Sequence, residues 1–118
     1  MGYDLLMVDP AGRTDDGWYS MASENMIYVR QAMADLGMVV GSSGDAVEDV
    51  ESPLGIPTAK LSVQGGWTVT PSEISVALLA LSVASPAAMR SARLLYERWD
   101  DWVAFLGDAC EHGGFRVE

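Results

Sequence analysis

Two helix starts marked by proline, at Pro71 and Pro86, constrain this chain more than any other feature of it. Thr70-Pro71-Ser72-Glu73 has the form of a capping box with proline at the first helical position. The Thr70 hydroxyl can accept from a free backbone N–H of the first turn, and the Glu73 carboxylate can reach back to the cap. Proline at this position gives up no hydrogen bond, because its N–H would have had no helical partner. Ile74, Ala77, Leu78 and Leu81 follow at helical spacing, with Val76, Leu79 and Val83 on the flank, so the pattern predicts a helix buried on most sides. Ser85-Pro86 repeats the signal and opens what reads as one long helix to about Cys110. Its core stripe runs through Met89, Ala92, Leu95, Tyr96, Trp99, Trp102, Val103, Leu106 and Cys110. Arg93 with Glu97, and Arg98 with Asp101, are spaced to pair on that helix, at a few tenths of about 1 kcal/mol each.

The amino-terminal half is less regular. Tyr3 to Val8 reads as a mostly buried strand that Asp9-Pro10 stops. Ala11 to Gly17 reads as a solvated loop, and Trp18 and Tyr19 as the lead into a helix from Glu24 to Leu36. Ser23 is the expected N-cap and Gly37 the left-handed stop. Met26, Val29, Met33 and Leu36 make one apolar stripe, which Ile27 and Tyr28 widen. Gly41 to Pro57 holds GSSG, two prolines and the acids Asp45, Glu48, Asp49 and Glu51, and reads as a long acidic loop with an optional helical turn over Ala46 to Val50. Lys60 to Val69 suggests a short extended segment or hairpin around Gly65-Gly66. Phe115 to Val117 alternates like a closing strand and is expected to pair with Tyr3 to Val8. These readings give an α+β fold: three helices packed with a small sheet that joins the amino- and carboxy-terminal strands, in one domain over residues 1–118.

Bulk properties narrow the function classes. At 118 residues with 49% apolar composition, the chain can bury a core without a metal or disulfide. Its single cysteine cannot bridge internally, which fits a reducing cytoplasm. The opening residues lack the basic flank of a signal peptide, Leu stands where a myristoylation signal needs Ser or Thr, and Ile74 to Met89 is too short and interrupted to span a bilayer. Net charge is −10, of which residues 1–55 hold −8, with ten Asp and Glu against Arg13 and Arg30. Such a field repels phosphate backbones and anionic lipid, so neither nucleic acid nor membrane is an expected partner.

Three stretches resemble known sequences. Met1-Gly2-Tyr3-Asp4-Leu5, Gly66-Trp67-Thr68-Val69-Thr70-Pro71-Ser72-Glu73-Ile74, and the tail pattern of Trp99, Trp102, Phe105, Leu106, Ala109 and His112-Gly113-Gly114-Phe115-x-Val117 resemble small uncharacterised proteins of actinobacterial phages and prophages. The likeness covers about half of the chain and is strongest after Gly66. It implies a phage accessory product and carries over no activity, cofactor or catalytic residue.

The chemistry-bearing residues point the same way. His112, the only histidine, lies near Cys110, Glu111 and Asp108, but a lone Cys-x-His lacks the second ligand pair of structural zinc. It reads instead as a helix-terminal histidine before a Gly-Gly stop. Cys110 and His112 fall on different faces of a helix, which is poor geometry for a dyad. Asp15-Asp16 and Asp100-Asp101 are adjacent acids that diverge on a helix and stay solvated. Gly41-Ser42-Ser43-Gly44 lacks the lysine of a phosphate loop. No catalytic, cofactor or metal residue is therefore expected. The expected function is non-enzymatic binding of a phage or host protein in the cytoplasm, with homodimer formation as an option. The alternative is an acidic nucleic-acid mimic that inhibits a DNA- or RNA-binding protein. The candidate contact residues are Trp18 and Tyr19, together with Asp45, Glu48, Asp49 and Glu51.

Overall fold

The computed structural model describes residues 2–10, 17–42, 44–46 and 50–118. Four strands form an antiparallel sheet in the order β2-β1-β6-β5: β1 is Gly2–Met7, β2 Trp18–Ala22, β5 Trp67–Val69 and β6 Phe115–Val117. The two terminal strands are thus its central pair, with Leu5 opposite Val117 and Met7 opposite Phe115. Two further strands, β3 (Val39–Val40) and β4 (Ile56–Pro57), make a short parallel pair. Four α-helices appear among the described residues: α1 Ser23–Asp35, α2 Pro71–Ser82, α3 Pro86–Leu95 and α4 Trp99–Cys110. The fold is α+β, as the sequence indicates, with one helix more than expected.

Side chains alternate across the sheet. Leu5, Met7, Tyr19, Met21, Val69, Phe115 and Val117 point inward and are buried against the helices. Tyr19, Trp102, Phe105 and Phe115 form an aromatic cluster with ring centroids 5.3 to 6.1 Å apart. The opposite face, with Trp18, Asp4 and Arg116, meets solvent.

The added helix comes from a break in the element predicted to run from Pro86 to Cys110. Tyr96 leaves the helical region at φ −142°, ψ 108°, while its N–H still bonds to the Ala92 carbonyl. Unbroken, those 25 residues would make a rod about 37 Å long, longer than any dimension of this 36 × 33 × 30 Å molecule. The break lets α3 lie against α1 while α4 lies against α2. It also separates Arg93 from Glu97: Arg93 pairs with Asp100 at 3.0 Å instead, while Arg98 and Asp101 pair as expected at 3.2 Å.

The capping box at Thr70 is fully formed, with both reciprocal hydrogen bonds present. The helix it opens is buried on one side only, since Leu79 is 68% and Val83 80% exposed. On α1 the stripe Met26, Val29, Met33 and Leu36 is buried, and Gly37 stops the helix at φ +75°. Ile27 and Tyr28 do not widen that stripe; both face outward. The N-cap is Ala22, with no side-chain cap bond, and Ser23 is already helical. Lys60 begins no hairpin, because residues Thr58–Leu61 form a 3₁₀ turn and β5 pairs with β6. The loop expected from Ala11 onward and the helical turn over Ala46 to Val50 lie largely outside the described residues.

Candidate interaction surface

Trp18–Ala22 departs most from expectation: it is strand β2, paired antiparallel to β1, and not a helical lead-in. Gly17 at φ +63° turns the chain into it; a Cβ there would press on Met7 and Pro10 at 3.0 Å. Aromatic residues favour extended backbone, and burial of Tyr19 and Met21 against the helices selects the register.

The ladder fixes where the backbone groups of β2 point. Met7 donates to the Gly17 carbonyl at 2.8 Å, and Leu5 and Tyr3 stand opposite Tyr19 and Met21. In an antiparallel pair, hydrogen-bonded and non-bonded positions alternate. Residues 17, 19 and 21 therefore bond to β1, and the N–H and C=O of Trp18 and Ser20 point off the sheet. No described strand lies beyond them. β2 carries no charge and no proline in Trp-Tyr-Ser-Met-Ala, so it lacks the usual protection of an edge.

The opposite edge is closed. The 3₁₀ turn packs beside β5, and Lys60 Nζ donates to the outward carbonyl of Thr68 at 2.7 Å. Lys60 also reaches Glu73 Oε1 at 3.1 Å and Oε2 at 3.2 Å. Both side chains are buried, at 1% and 0% exposure. Glu73 accepts two backbone hydrogen bonds as well, from Thr70 at 2.9 Å and Ser52 at 2.8 Å. One carboxylate thus caps α2, neutralises a buried lysine and fastens the end of the acidic loop.

Trp18 lies on the solvent face of the sheet, 57% exposed, with its indole N–H donating to Asp4 Oδ1 at 3.1 Å. Tyr19 points the other way, into the core. Its hydroxyl is 2.7 Å from that of Tyr96, and the Arg98 guanidinium sits 5.2 Å from its ring centre. Burial first, and the Tyr96 hydroxyl second, push the Tyr19 phenol well above its ordinary value near 10. Tyr96 and Arg98 in turn line a cleft of about 300 Å³ between α1 and the end of α3, with Asn25, Tyr28, Leu94 and Glu97. Tyr28 is half exposed at its rim and Leu94 is 87% exposed. Asp4, Glu24 and Glu97 surround this side of the molecule, and none forms an ion pair among the described residues, whereas Arg98 is neutralised by Asp101.

The other sequence-selected residues lie elsewhere. Asp45 is exposed and accepts from the Ser42 N–H at 2.8 Å, which closes a local turn. Glu51 accepts from the Thr70 hydroxyl at 2.5 Å. Both line a second cleft of about 240 Å³ with Val40, Val50, Pro57 and Lys60. Glu48 and Asp49 fall outside the described residues. Sequence reasoning missed the edge position of β2 among the described strands, along with Tyr28 and Leu94. The one signal for Leu94 was a second leucine beside Leu95, where helical spacing can bury only one of the two.

Cys110 and His112 are engaged separately. The Cys110 thiol lies 3.2 Å from the Ser75 hydroxyl, and His112 Nδ1 lies 3.0 Å from the Asp9 carbonyl, to which it can donate. Among the described residues no three His, Cys, Asp or Glu side chains converge on a metal position, and no single helix is long and apolar enough to cross a membrane. The chain matches no known protein family, no curated protein and no solved structure.

Proposed function

We propose that this protein acts by binding another protein, without catalysis, through the side of the molecule formed by β2 and the α1–α3 cleft. The observation that carries the reading is an uncharged edge strand with outward backbone groups and an exposed Trp18, whose Tyr19 touches Tyr96 and Arg98 of the cleft that the exposed Tyr28 and Leu94 also line. Unpaired strand edges and exposed aromatic or aliphatic side chains are what protein interfaces cover. The likeness of its ends and of the segment after Gly66 to phage proteins supports an accessory role in the host cytoplasm, where the partner is a phage or host protein.

Affinity capture from lysate of an actinobacterial host tests this. The wild-type chain is expected to retain a discrete protein that a Tyr28→Ser/Leu94→Ser double variant, folded by circular dichroism, does not. Equal retention by both forms would move the binding surface elsewhere, and retention of nothing by either would remove the reading.

A further inference from the structure

We propose that β2 receives a basic, extended segment of the partner as a fifth strand of the sheet. The inference rests on the protein-binding reading above and adds the partner's chemistry and its mode of attachment. The sheet has two ends that are not equivalent. At β5 the Thr68 carbonyl is already taken by Lys60 and the 3₁₀ turn covers the edge. At β2 the outward N–H and C=O groups of Trp18 and Ser20 face no strand among the described residues. An added strand would satisfy them with main-chain hydrogen bonds, and its side chains would alternate between the two faces of the sheet.

The surroundings say what those side chains should be. On the outer face the guest would run beside Trp18, with Asp4 one strand further in. Lysine or arginine there would meet a carboxylate and the face of an indole, two environments that attract cations. On the inner face the guest would lean toward the cleft rimmed by Tyr28 and Leu94, which suits an apolar residue. Glu24, just past the end of β2, and Glu97, at the cleft, add negative charge with no cation paired to either among the described residues. A second copy of the chain is a poorer guest: it would bring another −10 against the same acidic side. A basic strand gains attraction where a second copy meets repulsion.

The test uses the full chain and a short peptide of alternating lysine and valine, observed by amide chemical shifts. The peptide is expected to shift the amides of Trp18 and Ser20, and to bind severalfold more weakly as salt is raised. A glutamate–valine peptide should not bind. Methylation of alternate peptide amides should abolish binding, because strand addition requires those N–H groups. Ser20→Pro should do the same from the protein side: it removes an outward N–H, and proline is tolerated at such a position on an edge strand. Absence of binding, equal binding of the methylated or glutamate peptide, or shifts confined to other elements would overturn the proposal. So would a concentration-dependent dimer that protects the Ser20 amide in the chain alone. A captured partner that Ser20→Pro still retains, but Tyr28→Ser/Leu94→Ser loses, would remove strand addition and leave the protein-binding reading standing.

Discussion

A methyl group added at Gly114 would sit 2.1 Å from the Val69 carbonyl oxygen, on a residue held at φ +83°. Backbone cannot yield there, because Val69 is in β5 and Phe115, the next residue, begins β6 directly opposite it. Gly37 has nearly the same dihedral, φ +75°, but nothing within 4 Å of the added atom. Gly37→Ala should therefore cost about 1 kcal/mol from dihedral strain alone, and Gly114→Ala more than about 3 kcal/mol; denaturant melts of the two variants measure the difference. The sequence shows His112-Gly113-Gly114 as a helix stop, but the second glycine is demanded by a carbonyl 45 residues earlier, which no local pattern reveals. Tyr19 makes a different residue-scale prediction. Its folded-state value is raised, so its contribution is fully present below pH 10, the unfolded value, and is lost as pH rises above it, because only the unfolded chain ionises readily. The slope of that loss is about 1.4 kcal/mol per pH unit for one group. Tyr19→Phe should start less stable, having lost the bond to Tyr96, and then fall less steeply than wild type above pH 10 in melts across that range.

At the scale of elements, Glu73 and Lys60 join parts that local sequence keeps apart. The capping role of Glu73 was legible because it depends on a spacing of three residues. Its pairing with Lys60 was not, since the two stand thirteen positions apart with turn and strand between them, and no local spacing rule joins them. The break at Tyr96 was hidden for a similar reason: helical periodicity runs straight through it, and only the separate packing of α3 on α1 and of α4 on α2 shows it. Removing one member of a buried ion pair leaves an uncompensated charge, at a cost of about 3 to 5 kcal/mol. Lys60→Met should approach that cost, moderated by the two backbone N–H groups that Glu73 keeps. Glu73→Gln should cost a similar amount, because Lys60 keeps at most an amide oxygen and the Thr68 carbonyl in place of its counter-charge, and the new amide NH2 faces the N–H of Ser52 or Thr70. The double variant should be more stable than the sum of the two single losses predicts, and a double-mutant cycle of denaturant midpoints reads that coupling. Both single variants should also speed hydrogen exchange at the Ser52 amide, which loses a charged acceptor or its neutralising partner.

The whole molecule closes on itself through its chain ends. Asp4 and Glu118 exchange both backbone hydrogen bonds, at 3.2 and 2.8 Å, so the first and last strands are neighbours in mid-sheet. This pairing was readable because both strands alternate and both stand beside strong stops. β2 was not, since Trp18-Tyr19-Ser20-Met21-Ala22 runs into α1 without a turn residue, and the periodicity of the helix masks it. The arrangement makes β6 the strand on which the sheet depends. It pairs with β1 on one side and β5 on the other, and buries Phe115 and Val117 completely. Phe115 also closes the aromatic cluster against Trp102 and Phe105. Among the described strands, a chain ending at Gly114 would leave β1 with β2 as its only partner and β5 with none, and two-stranded remnants are marginal in water. It would lose two core side chains worth about 2 kcal/mol or more each, against a total stability of about 5 to 15 kcal/mol. Helices α2 and α3 have side-chain caps of their own, at Thr70 and Ser85, so the truncated chain should keep part of its far-ultraviolet helical signal while losing its cooperative thermal transition and fixed near-ultraviolet tryptophan signal. Adding the missing tail as a separate peptide, Phe115 to Glu118, should restore little, because a free tetrapeptide forfeits the connection that holds it beside β1. A truncated chain that still melted cooperatively near the wild-type midpoint would show that β1 and β5 do not need β6 between them.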